Sequence, residues 1–144
     1  MRVETMRAVD RWVGSPLAWA LTRVRSVVGD ADPPAARDVT KVLFVKLSEM
    51  GALVLSTPAF AEARRVFPNA ETWIVCFDEN AEIAAVAGGF AKERIVSVKA
   101  SGPFGTILGL LGAILRLRRE RFDVVVDLEY FSRVSAILSF LAKA

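Results

Sequence analysis

The chain has 144 residues, 53% of them hydrophobic, with a net charge of +3 and a mean hydropathy of +0.40; this is enough for a domain with a packed core and too apolar for a disordered segment. Histidine is absent and Cys76 is the single cysteine, which excludes Cys/His metal clusters, internal disulfides and any catalytic pair or triad built on histidine. The positive charge sits in residues 1–28, which carry five arginines against Glu4 and Asp10, and in "RLRRER" from Arg116 to Arg121. Without interleaved aromatic residues this argues against nucleic acid and for an anionic surface.

In chain order, residues 1–29 predict two short amphipathic helices broken at "GSP", with Ser15 as a cap and Pro16 at the first position of the second. Leu17, Ala20, Leu21, Val24, Val27 and Val28 share one face of that second helix, Arg23 and Arg25 lie off it, and Gly29 ends it. Trp12 and Trp19 add amphipathic rings, which suits an anionic membrane surface as partner. Residues 30–40 form a polar linker with paired prolines.

From Lys41 the pattern alternates. "KVLFVKL" predicts a strand, "LVLSTPAFAEARRVF" a helix, "ETWIVCF" a second strand and "ENAEIAAVAG" a short helix closed by Gly88 and Gly89. "ERIVSVK" predicts a third strand, Phe104 to Arg121 a helix, "FDVVVDL" a fourth strand and "FSRVSAILSFLAKA" a last helix. Strands that are apolar throughout, alternating with helices, predict an α/β fold: a doubly wound, Rossmann-like parallel sheet covered on both faces over residues 41–144. No apolar run reaches the roughly 18–20 residues that span a bilayer. The longest, "FGTILGLLGAIL", has 12, and no secretory signal precedes it, so a cytoplasmic location is expected. The apolar helix running into Ala144 without a stop signal predicts that a longer protein continues beyond it.

In such a sheet ligands sit beyond the carboxyl ends of the strands, where the strand order reverses. An order of 3-2-1-4 brings together "SEMGA" after the first strand and "EYFSR" after the fourth. These loops supply Ser48, Glu49, Met50 and Gly51, and Glu129, Tyr130, Ser132 and Arg133. The first helix would aim its free N–H groups into the same cleft, which suits a phosphate or carboxylate. Each residue also has a plainer reading. Gly51 serves as a turn glycine, Lys46 as a surface lysine at a strand end, Asp127 as the cap of a turn, and Cys76 as a buried structural thiol. Gly105, Gly109 and Gly112 are read as allowing close helix–sheet packing. Neither G-x-G-x-x-G nor G-x-x-x-x-G-K-[ST] follows the first strand, which sets aside a dinucleotide or P-loop site.

"KVLFVKLSEMGALVLSTPAFAEARRVFPNAE" and "RFDVVVDLEYFSRVSAILSFL" together resemble the amino-terminal domain of glycosyltransferase family 9, the heptosyltransferase-like enzymes, over about Lys41 to Ala144. The resemblance implies one half of a two-domain GT-B enzyme that holds a lipopolysaccharide-core or other surface-glycan acceptor. A carboxy-terminal half, outside this sequence, would bind the nucleotide-sugar donor. It also implies metal-independent, inverting transfer with no cofactor, at the inner face of the cytoplasmic membrane. Lys46, Ser48, Met50, Gly51 and Arg133 then fall at acceptor-binding positions. The family's general base is an aspartate directly after the Met-Gly pair, where this chain has Ala52. Glu129 and Glu49 are the remaining carboxylates for that role, and a non-catalytic glycan- or lipid-binding relative is the alternative.

Overall fold

Strands covered on both faces cannot alternate polar and apolar residues, and the two central strands here do not. The computed structural model describes residues 35–47, 49–129 and 133–143; the helices expected over residues 1–29 and the start of the linker lie outside them. A four-stranded parallel sheet has the order β3-β2-β1-β4, from β1 (Lys41–Val45), β2 (Glu71–Phe77), β3 (Ile95–Val98) and β4 (Val124–Asp127). This is the order on which the reading of the switch point rests, and the strands run shorter than predicted at three of the four positions. Helices α1 (Met50–Leu55), α2 (Thr57–Val66), α3 (Ala81–Val86), α4 (Gly102–Glu120) and α5 (Arg133–Lys143) complete the described elements.

Strand parity sorts the core into two layers. Leu43, Val45, Trp73, Val75, Phe77, Val96 and Val98 face Leu110, Ala113 and Leu117 of α4 and Leu138 and Ala142 of α5. Val42, Phe44, Ile74, Cys76 and Ile95 face Leu53, Phe60, Ala84 and Phe90 on the opposite side. There Phe44, Phe60 and Phe90 form an edge-to-face triangle with centroids 4.9, 6.0 and 5.0 Å apart. Arg64 caps this triangle, its guanidinium 5.1 Å from the Phe90 ring and donating to the Gly88 carbonyl at 2.7 Å.

The helix expected over Leu53–Phe67 is two helices, and it begins earlier, at Met50. Pro58 causes the break, because it has no N–H to give the Val54 carbonyl. The Thr57 hydroxyl donates to that carbonyl at 2.9 Å instead, while the Ser56 N–H and hydroxyl both turn back to the Ala52 carbonyl. Gly109 packs close to the sheet as expected, since a Cβ there would lie 3.1 Å from Val98 Cγ1, but one at Gly112 would meet nothing within 4 Å.

The amino-terminal edge of the sheet is closed by one carboxylate. Oδ2 of Asp123 accepts from the N–H and hydroxyl of Thr40 at 2.7 and 2.8 Å and from the Lys41 N–H at 2.9 Å. Beside it Lys41 Nζ meets Glu120 at 2.7 Å, and Val39, at the end of the expected linker, is buried. Burial would raise the Asp123 carboxyl; the N–H groups of Thr40 and Lys41, the Thr40 hydroxyl and the Lys41 charge outweigh it and hold the group below its usual value. A carboxyl lowered on folding adds stability above its unfolded value of about 3.9, and that stability is lost as pH falls through the lower folded value. Asp123→Asn should therefore destabilise the domain at pH 7 by about 1–3 kcal/mol and flatten the acid limb of its stability curve. Urea melts of both proteins between pH 2 and 7 measure this; parallel curves would refute it.

Candidate functional site

At the reversal of strand order, β1 and β4 end side by side, with Val45 paired to Asp127. Ladder bonds run past both ends: the Leu128 N–H donates to the Val45 carbonyl at 3.0 Å and the Lys46 N–H to the Val75 carbonyl at 3.1 Å. The chain then leaves β1 under tight control. The Leu47 carbonyl accepts from the Phe77 N–H and from Nδ2 of the buried Asn80, each at 3.1 Å. Asn80, three residues past β2, lies at the start of the predicted short helix, and only the tertiary pairing shows its role.

Lys46 is not the surface lysine that its place at a strand end suggests. Its side chain is 6% exposed and that of Glu129 is 4% exposed, with Nζ 2.9 Å from Oε1 and 3.1 Å from Oε2. Two ions removed from water in this way require each other, because either one alone would be an uncompensated buried charge. Asp127 sets the geometry: its Oδ1 accepts the Glu129 N–H at 2.9 Å, the turn that its sequence position predicts. The "KLSEM" and "DLEYF" segments are thus joined by one ion pair at the switch point.

Glu49 is exposed and takes φ 62° and ψ 99°, a conformation that favours glycine, just before α1; its carbonyl accepts the Leu53 N–H at 3.0 Å. Met50 is 50% exposed. Gly51 is a correction: it lies within α1 at an ordinary helical φ, and an added Cβ would meet nothing within 4 Å, so backbone shape does not demand glycine there. The strained turn residue is Glu49, one place before Met50. Ala52 is half-buried in α1, Arg133 is exposed at the first position of α5, and Ser48, Tyr130 and Ser132 lie outside the described residues.

A shallow hollow of about 380 Å³ lies at the carboxyl ends of β2 and β3, lined by Phe77, Asp78, Glu79, Lys99, Ala100 and Ser101. It shares the carboxyl edge with the ion pair but belongs to neighbouring strands. Among the described residues no group of His, Cys, Asp and Glu could hold a metal ion, and no helix is long and apolar enough to cross a membrane. Cys76 is fully buried; burial, with the Asp78 charge adding to it, pushes its thiol up to about 12. It should resist thiol reagents at pH 8 until the domain unfolds, as timed labelling by mass spectrometry would show.

Breaking the ion pair should be costly in a characteristic way. Lys46→Met or Glu129→Leu alone should lower stability by about 3–5 kcal/mol, and the joint change Lys46→Met/Glu129→Leu should recover most of the loss. Additive losses in a double-mutant cycle would refute the coupling.

No family model matches the sequence, and no curated protein matches it. Among solved structures, E. coli heptosyltransferase WaaC with ADP-2-deoxy-2-fluoro heptose is similar at 23% identity and a TM-score of 0.49, over 61% of this chain and 29% of that one. The chain therefore matches less than a third of the length of that structure.

Proposed function

We propose that residues 41–144 are the acceptor-side half of a glycosyltransferase that moves a sugar from a nucleotide-sugar donor to a surface-glycan or glycolipid acceptor. The observation that carries the reading is the convergence of its two motif segments, "KLSEMGA" and "DLEYFSR", on the buried Lys46–Glu129 pair at the switch point. In this reading the donor is held by a second domain and the acceptor lies over the loops after β1 and β4. Ser48, Met50, Gly51 and Arg133 line its pocket, and Lys46 supports it through Glu129.

Inverting transfer is a single displacement. The acceptor hydroxyl oxygen attacks the anomeric carbon, the bond from that carbon to the nucleotide diphosphate breaks, and a base takes the hydroxyl proton. Ala52 has no group for this task. Both oxygens of Glu129 face the Lys46 ammonium in a buried setting, whereas Glu49 is exposed on a strained backbone. The base in this reading is Glu49, and Glu129 holds Lys46. Strain of this kind costs of order 1–3 kcal/mol and persists where the surroundings enforce it, commonly at functional sites.

Two consequences can be measured in the protein with its donor domain. Glu49→Gln should lower turnover by about 10²-fold or more with little change in stability. Glu49→Gly should raise stability by up to about 1 kcal/mol, since glycine adopts this φ freely, while also abolishing turnover. Nucleotide release from a panel of nucleotide sugars, with and without delipidated core oligosaccharides, reads out the activity; full turnover in Glu49→Gln would remove Glu49 from the role.

Ala52 and the occupied Glu129 favour a second reading, a non-catalytic relative that binds a glycan through the same loops. Acceptor binding without nucleotide release from any donor would decide for it.

A further inference from the structure

Helix α4 is built as though it had two partners, and the described residues supply one. Thr106, Leu110, Ala113 and Leu117 are buried on one side against the sheet. Phe104, Leu108, Leu111 and Leu115 are 74, 55, 51 and 64% exposed. At about 100° per residue these four fall together directly opposite the buried side. From Gly102 to Leu115 the helix has no charged residue, and its charges begin at Arg116. A helix apolar on all sides is ordinarily covered on all sides. Gly112 adds a second observation: it is exposed, nothing in the domain lies where its Cβ would be, and glycine in an open helix interior weakens the helix. A bare backbone at that place suits the close approach of another helix.

The sequence holds a segment of matching length and pattern. Thr40 and Lys41 are bonded to Asp123, and Lys41 to Glu120, so the chain enters the domain beside the carboxyl end of α4. Residues 29–35 can extend up to about 25 Å from there. Residues 16–28, for which the sequence predicts a one-sided apolar helix, would be about 20 Å long, and the stripe from Phe104 to Leu115 is about 16 Å long. The apolar face of that segment is Leu17, Ala20, Leu21, Val24, Val27 and Val28, with Arg23 and Arg25 turned away from it.

We propose that residues 16–28 pack along the outer face of α4, covering Phe104, Leu108, Leu111 and Leu115 and crossing at Gly112. The basic amino-terminal segment is then a third layer of the domain. Its predicted apolar face is used inside the protein, and its arginines point outward.

The test is hydroxyl-radical footprinting of Phe104, Leu108, Leu111 and Leu115 in the intact chain and in the variant Leu21→Asp/Val24→Asp, with an unreactive Cys76 as the check that each is folded. Protection in the monomeric intact chain, with labelling at least fivefold faster in the variant, is the expected result. Equal labelling overturns the proposal. So does protection that appears only in a dimer on raising the concentration, or only on adding phosphatidylglycerol vesicles; these outcomes would assign the face to a second copy or to a bilayer. Should the variant fail to fold, the pair Val24→Cys with Leu111→Cys carries the test. It should give a cross-linked monomer with a short bismaleimide, whereas Ser26→Cys with Leu111→Cys should not; equal yields from the two pairs overturn the proposal.

Discussion

A lysine and a glutamate from the ends of adjacent parallel strands are shut away from water against each other, and much of the carboxyl edge is arranged around them. Neither residue could stay buried alone, since a lone ion in such a setting would draw in water or shift its proton equilibrium. The pair therefore constrains both chain exits. Asp127 turns the backbone so that Glu129 arrives at Lys46, and Asn80 fixes the carbonyl of Leu47 just after Lys46. Replacing such a pair with apolar residues is often neutral for stability, so the pair fixes the geometry of the two chain exits rather than adding to stability.

The two edges of the sheet are built on different terms. At the amino edge Asp123 collects three hydrogen bonds on one oxygen, and Lys41 and Glu120 pair beside it; these contacts relieve backbone groups and join the first strand to the last. At the carboxyl edge the backbone is strained at Glu49, and Met50 stands in solvent beside it. One edge spends its polar groups on stability, while the other leaves groups presented outward. Loops on a rigid parallel scaffold commonly divide the work in this way.

Helix breaks and glycines were the places where local signals pointed two ways. Pro58 occupies the opening of α2, yet the preceding turn is helical as well because the Thr57 hydroxyl satisfies the Val54 carbonyl that proline cannot. Gly51 reads as a turn in sequence and is a helix residue in space. Of the glycines in α4, Gly109 approaches the sheet, whereas a Cβ at Gly112 would meet nothing within 4 Å.

The two-sided core, the alternation of strands and helices from Lys41 onward and the burial of Cys76 were legible in the sequence. Each depends on a pattern held within a few residues: apolar runs bounded by turn residues, helical spacing, a thiol among large aliphatic neighbours. That the chain leaves the first and fourth strands side by side was legible too, because the order 3-2-1-4 makes those strands neighbours. The partner of Lys46 was not. Glutamate and lysine stand 83 residues apart, and nothing in "FVKLS" distinguishes a lysine that reaches water from one that meets a carboxylate. The same holds for Asn80 and for the strain at Glu49. Local sequence determined which elements form and where their polar ends lie; tertiary structure alone decided which of those ends meet, because desolvation and charge pairing act between residues that only the finished fold brings together.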